Sequence, residues 1–91
     1  MKAAIWYRRQ DVARAFGMAL RAVRDAQGIS QDQLSQTCDM DRTYPSLLER
    51  GLRGPTVAML LRLATALGVE PERLVTDTVL RLRGNEQKPT N

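Results

Sequence analysis

Three glycines cut the middle of this chain into short helical segments. Gly28, Gly51 and Gly68 are each followed within a few residues by helix starters: Ser30, then Pro55 with Thr56, then Glu70 with Pro71. Glycine just past a helix end takes the left-handed conformation that closes the helix, and Ser, Thr or Asp then accepts from the unpaired amides of the next one. Between these breaks the apolar residues recur mainly at helical spacing. The arrangement predicts an all-α fold, a compact bundle of about five helices.

The first helix is expected from Val12 to Gln27, because Ala13, Phe16, Leu20 and Val23 share a face that Arg14, Arg21 and Asp25 avoid. No breaker fixes its start. Ser30 and Gln33 form an S-x-x-Q capping box with Ile29 placed to staple against Leu34, so the second helix starts there and ends near Cys38. Cys38, Asp39 and Met40 then make a tight turn, and Asp41 is the expected N-cap of a third helix over roughly Arg42 to Arg50. Leu48 joins Leu34 and Leu20 in the core. The fourth helix spans Thr56 to Leu67, where the stripe Val57, Leu60, Leu61, Ala64 and Leu67 marks it as the most buried. Pro71 suits the first position of a fifth helix through Leu74, Val75, Thr78, Val79 and Leu82, although Val79 to Arg83 also reads as a short alternating strand. Residues 1–11 read as an N-terminal extension, 12–83 as the folded domain, and the polar stretch from Gly84 to Asn91 as a disordered tail.

A chain of 91 residues makes one modest core, and with 4% aromatic residues that core must be aliphatic. One cysteine, Cys38, and no histidine exclude an internal disulfide, a zinc finger and a His-based catalytic triad. Cys38 reads as a small core residue. With no Gly-rich phosphate loop either, neither an enzymatic reaction nor a cofactor or metal is expected. No apolar run approaches the ~20 residues of a membrane span, and Arg8, Arg9 and Asp11 fall where a signal peptide needs apolar residues. A cytoplasmic protein is the expectation. The charge of +4 is mild, but Arg42, Arg50, Arg53 and Arg62 outnumber Glu49 between residues 42 and 62. That local excess suits a surface facing phosphates.

Two short helices joined by a three-residue turn, inside a basic all-helical domain, are the physical description of a helix-turn-helix. The second helix fits the major groove by diameter, and its N-terminal turn presents Arg42, Thr43 and Tyr44. Arginine can donate two hydrogen bonds to guanine, and threonine offers a hydroxyl and a methyl. Gln31, opening the preceding helix, either bonds a phosphate or braces the recognition helix. Tyr44 stands between phosphate contact and packing.

The segments LRAVRDAQGISQDQL, DRTY, LERG and LATALGV, at their spacing between Phe16 and Val75, resemble the lambda-repressor-like family, the Cro or xenobiotic-response-element type. The resemblance runs without a gap over about two-thirds of the chain. It implies that Arg24 pairs with Glu49, tying the first helix to the end of the recognition helix. It also implies that Gln31, Arg42, Thr43, Ser46 and Leu47 face DNA, that Arg50 and Arg53 lie near its backbone, and that a homodimer binds a palindromic operator in double-stranded DNA. DRTY followed by ERG is especially similar to controller-type regulators.

Three residues depart from the family pattern. Asp39 stands where glycine is common and tolerates the left-handed conformation at a cost of ~1 kcal/mol. Pro45 replaces an apolar residue such as Ile, removes the first intrahelical bond and disfavours a helical Tyr44, so it argues for a recognition helix that starts late, near Tyr44 or Pro45. Leu47 replaces a commonly polar residue and suits either a thymine methyl or a partner. Pro45 and Leu47 together favour an alternative function, an antitoxin-like module that neutralises a toxin or other protein partner and represses its own promoter. The stripe Val75, Val79 and Leu82 exceeds what a small bundle needs and is the expected dimer interface. Trp6, Tyr7, Arg8 and Arg9 read either as a minor-groove arm or dimer contact, or as an extension of the first helix whose aromatics cover the core.

Overall fold

Ser30, Thr56 and Pro71 start helices where the sequence places them. The computed structural model describes residues 7–86. Its elements are α1 (Arg9–Ala26), α2 (Gln31–Cys38), α3 (Tyr44–Glu49), α4 (Val57–Leu67) and α5 (Pro71–Glu86), with no strand among the described residues. Both halves of the capping box form, the Gln33 amide donating to Ser30 Oγ at 3.0 Å and the Ser30 amide to Gln33 Oε1 at 2.8 Å. Thr56 caps α4 by accepting from the Met59 amide at 3.0 Å.

Both ends differ from the expectation. α1 begins at Arg9 rather than Val12, so Arg9–Asp11 are helical and not an extension. Asp11 sits in the first turn, where a carboxylate complements the helix dipole, and pairs with Arg14 at 3.4 Å. Trp6 lies outside the described residues, while Tyr7 and Arg8 precede α1 and are exposed. α5 runs as helix through Val79–Arg83 and on to Glu86, so the strand reading fails and the expected tail is helical in its first three residues, 84–86. The reason is packing at helical spacing: Leu74 and Thr78 are both buried, with Thr78 Oγ1 donating to the Leu74 carbonyl at 2.7 Å. The rest of the expected tail, 87–91, lies outside the described residues.

One leucine from each helix is fully buried, Leu20, Leu34, Leu48, Leu63 and Leu74, and all five belong to a single cluster with Phe16, Val23 and Leu67. Burying a leucine contributes about 1.5–3 kcal/mol. The core is therefore aliphatic and shared by every element. α1 is the most buried helix, lying against both α3 and α5, and this corrects the expectation for α4. α4 turns Leu63, Ala64 and Leu67 inward, while Val57 is 76% and Leu61 46% exposed. A helix that is apolar around most of its circumference does not reveal by spacing which stripe meets the core.

Two glycines let α1 lie directly on the end of α3. A methyl group at Gly17 would meet the carbonyl oxygens of Leu48 and Glu49, the latter at 2.7 Å. Gly51, in the left-handed region at φ +73°, has no room for a side chain either, since one would meet Arg14 Cα at 2.8 Å. Gly17→Ala improves helix propensity by about 1 kcal/mol, yet it should destabilise the protein by about 1–3 kcal/mol through overpacking against α3. A lowered urea midpoint at unchanged slope would register this.

Candidate nucleic-acid interface

The turn between α2 and α3 closes on Asp39, whose φ of 52° and ψ of 51° are left-handed. Its amide donates to the Gln36 carbonyl and the Met40 amide to the Ser35 carbonyl, so the absent glycine leaves the helix end satisfied. Asp41 is not the N-cap of α3. Its carboxylate accepts the Thr43 amide at 2.8 Å and the Thr43 hydroxyl at 2.6 Å, and its carbonyl accepts the Tyr44 amide at 3.0 Å. These bonds close a turn, and α3 begins after it with Thr43 as N-cap. The late start follows from Pro45. In the second position of the helix its missing N–H belongs to a group that has no intrahelical partner anyway, and its ring is buried. The Thr43 hydrogen bonds also hold the Asp41 carboxyl below its ordinary range.

Behind the turn, Arg24 and Glu49 join α1 to the end of α3. Arg24 Nε lies 2.6 Å from Glu49 Oε2 and its NH2 nitrogen 2.9 Å from Oε1, while its NH1 nitrogen donates to the Ile29 carbonyl at 2.7 Å. The Glu49 side chain is only 3% exposed. The hydrogen bonds to Glu49, helped by its charge and that of Asp25, raise the Arg24 guanidinium above its ordinary pKa and outweigh the opposing effect of burial. Gln31 adds a third arm, its amide donating to Glu49 Oε1 at 3.0 Å. One carboxylate thus ties α1, α2 and α3 together, and Gln31 acts as a brace.

The other candidate residues fall into an outer and an inner group. Arg42 and Thr43 are exposed in the turn before α3, with the Arg42 guanidinium 3.3 Å from the Asp32 carboxylate of α2. Ser46 and Leu47 are half-buried on α3, and Arg50 is exposed at its end, its Nε donating to Ser46 Oγ at 3.1 Å. Arg53 is exposed in the following loop. Tyr44 packs half-buried against the core cluster. Val75, Val79 and Leu82 line an apolar groove on α5 together with Tyr7, Val12 and Leu60. Cys38 is buried; its Sγ lies 3.7 Å from the Arg62 carbonyl and burial raises its thiol pKa.

Among the described residues no group of side chains could hold a metal ion, and no helix is long and apolar enough to cross a membrane. Sequence reasoning missed Gly17 and the Asp32 pairing with Arg42. A glycine inside an otherwise apolar helical stripe was the available signal for the first, whereas nothing local marks the second.

A braced helix pair with Arg and Thr exposed at the leading turn of a short second helix, and arginines just behind it, defines a helix-turn-helix DNA-binding domain. The chain belongs to the helix-turn-helix family HTH_3, whose profile matches residues 20–74. It is a DNA-binding transcription regulator by family, not a member of an enzyme class. It is 39% identical over 75 residues to control protein C.BamHI of Bacillus amyloliquefaciens, across 80% of this chain and 89% of that one. The crystal structure of the restriction-modification controller protein C.AhdI from Aeromonas hydrophila is 42% identical with a TM-score of 0.66, covering 68% of this chain and 94% of that one. That of the hypothetical transcription factor NHTF from Neisseria is 30% identical with a TM-score of 0.71, covering 91% and 95%.

Removing one partner of a buried ion pair strands the other charge. Arg24→Ala should cost about 3–5 kcal/mol on that ground, whereas exposed Arg42→Ala should change stability by no more than about 0.5 kcal/mol. Chemical denaturation of both variants separates the buried brace from an exposed surface arginine.

Proposed function

We propose that the protein is a sequence-specific regulator that binds an inverted-repeat operator as a homodimer, with half-sites about 34 Å apart. Arg42 and Thr43 lead into the major groove, Tyr44, Ser46 and Leu47 line the approach, and Arg50 and Arg53 meet the backbone, while Gln31 serves the interface by bracing Glu49. The observation that carries this reading is the exposure of Arg42 and Thr43 in a turn that leads into a short helix whose far end is fixed by a buried three-helix brace. The likeness to controller proteins supports a controller-type regulator acting in the cytoplasm. Pro45 is buried and adds nothing apolar to the exposed face, so the antitoxin-like reading is left with Leu47 alone in its favour.

Selection of bound duplexes from a random pool tests the reading directly. On the selected operator, Arg42→Ala should cost roughly 1–3 kcal/mol and relax preference at one base pair, while Arg53→Ala should weaken operator and random DNA alike. Equal, sequence-independent weakening by both variants would contradict the assignment.

The dimer is built on the groove along α5. Val75 is 46% exposed and the groove measures about 390 Å³, an apolar surface the bundle leaves uncovered. Val79→Asp should convert the protein to monomer by light scattering. An unchanged dimer mass would remove α5 from the interface.

A further inference from the structure

Pro45 shortens the recognition helix, so Thr43 reads DNA from a turn and not from a regular helix. What then fixes its side chain is Asp41. The Thr43 amide and hydroxyl both donate to Asp41 Oδ1, at 2.8 and 2.6 Å, and the Tyr44 amide closes the same turn on the Asp41 carbonyl at 3.0 Å. An ionised carboxylate only accepts hydrogen bonds. The Thr43 hydroxyl proton is therefore committed to Asp41, and the oxygen offers DNA only its lone pairs. Asp41 is exposed and so ionised at neutral pH in any case, and those same bonds favour its charged form further.

The major groove sorts bases by the group they present. Adenine and cytosine carry an amino donor, whereas guanine and thymine carry a carbonyl acceptor. A free threonine hydroxyl rotates to suit either. One whose proton is already donated meets an amino group favourably and a carbonyl unfavourably. We propose that Asp41 is a specificity-determining positioning residue that makes Thr43 an acceptor-only reader, selecting adenine or cytosine over guanine or thymine on the strand it faces. The inference rests on the reading of Thr43 as a base-facing residue.

The test uses the full chain and the operator recovered from the random pool, remade with each of the four bases at every half-site position. Wild type should show one position where amino bases outbind keto bases by about five- to tenfold, the worth of one hydrogen bond. Thr43→Val, which keeps the shape and loses the oxygen, should reduce that preference to within about twofold. Asp41→Ala should flatten the same position and leave the position read by Arg42 unchanged. Asp41→Asn, which retains an acceptor oxygen, should restore the preference, and the Asp41→Ala, Thr43→Val double variant should add nothing to either single change.

The outcomes separate cleanly. If Thr43→Val changes no position, Thr43 does not face a base and the functional reading of that residue fails. If Thr43→Val flattens a position that prefers guanine or thymine in the wild type, or if Asp41→Ala leaves the preference intact, Thr43 still reads DNA but the role of Asp41 is overturned. Should Asp41→Ala fold poorly by circular dichroism, the amino-or-keto preference traced to Thr43 decides the matter without it.

Discussion

The Arg24–Glu49 pair is the constraint on which the interface depends. Glu49 is the last residue of a six-residue helix, too short to be stable by its own backbone bonds. Its carboxylate is held by two Arg24 nitrogens and by Gln31, so the end of α3 is fixed to α1 and to the first turn of α2 at once. Burying two charges is costly unless each is well paired, and here the remaining guanidinium nitrogen also finds the Ile29 carbonyl. Gly17 belongs to the same device. Without a side chain there, α1 lies against the α3 carbonyls closely enough for Arg24 to reach Glu49.

From that fixed end the rest of the exposed face around α3 follows. Leu48 and Pro45 anchor the inner side of α3 in the core, which leaves Ser46 and Leu47 half-covered and Arg50 exposed. Ahead of the helix, hydrogen bonds from Thr43 to the Asp41 carboxylate hold the turn. Rigidity in this interface therefore comes from two carboxylates, one buried at the end of the helix and one exposed ahead of it. Both are negative groups engaged by neighbours, Glu49 by Arg24 and Gln31 and Asp41 by Thr43.

Much of this architecture was legible in the residues themselves. Capping at Ser30 and Thr56, the left-handed Asp39, Pro71 opening α5 and the late start of α3 are local effects of side chains on their own backbone, and local effects survive folding. The Arg24–Glu49 pair was implied by resemblance and by no spacing in the chain, since its members stand 25 residues apart. The inner face of α4 was not legible, because Val57 and Leu61 are as apolar as Leu63 and only the neighbours decide which side is covered. Nor were the helical continuation to Glu86 and the early start at Arg9, where no breaker marks an end.

The sequence by itself determined how many helices form, where most of them start and that their core is aliphatic, because caps, glycines and periodicity act over a few residues. Tertiary structure alone decided which helix is central, that Gly17 must have no side chain, and that Gln31 turns inward to Glu49. Those features depend on distances between groups far apart in the chain, Gly17 from Leu48 and Gln31 from Glu49, which no local pattern encodes.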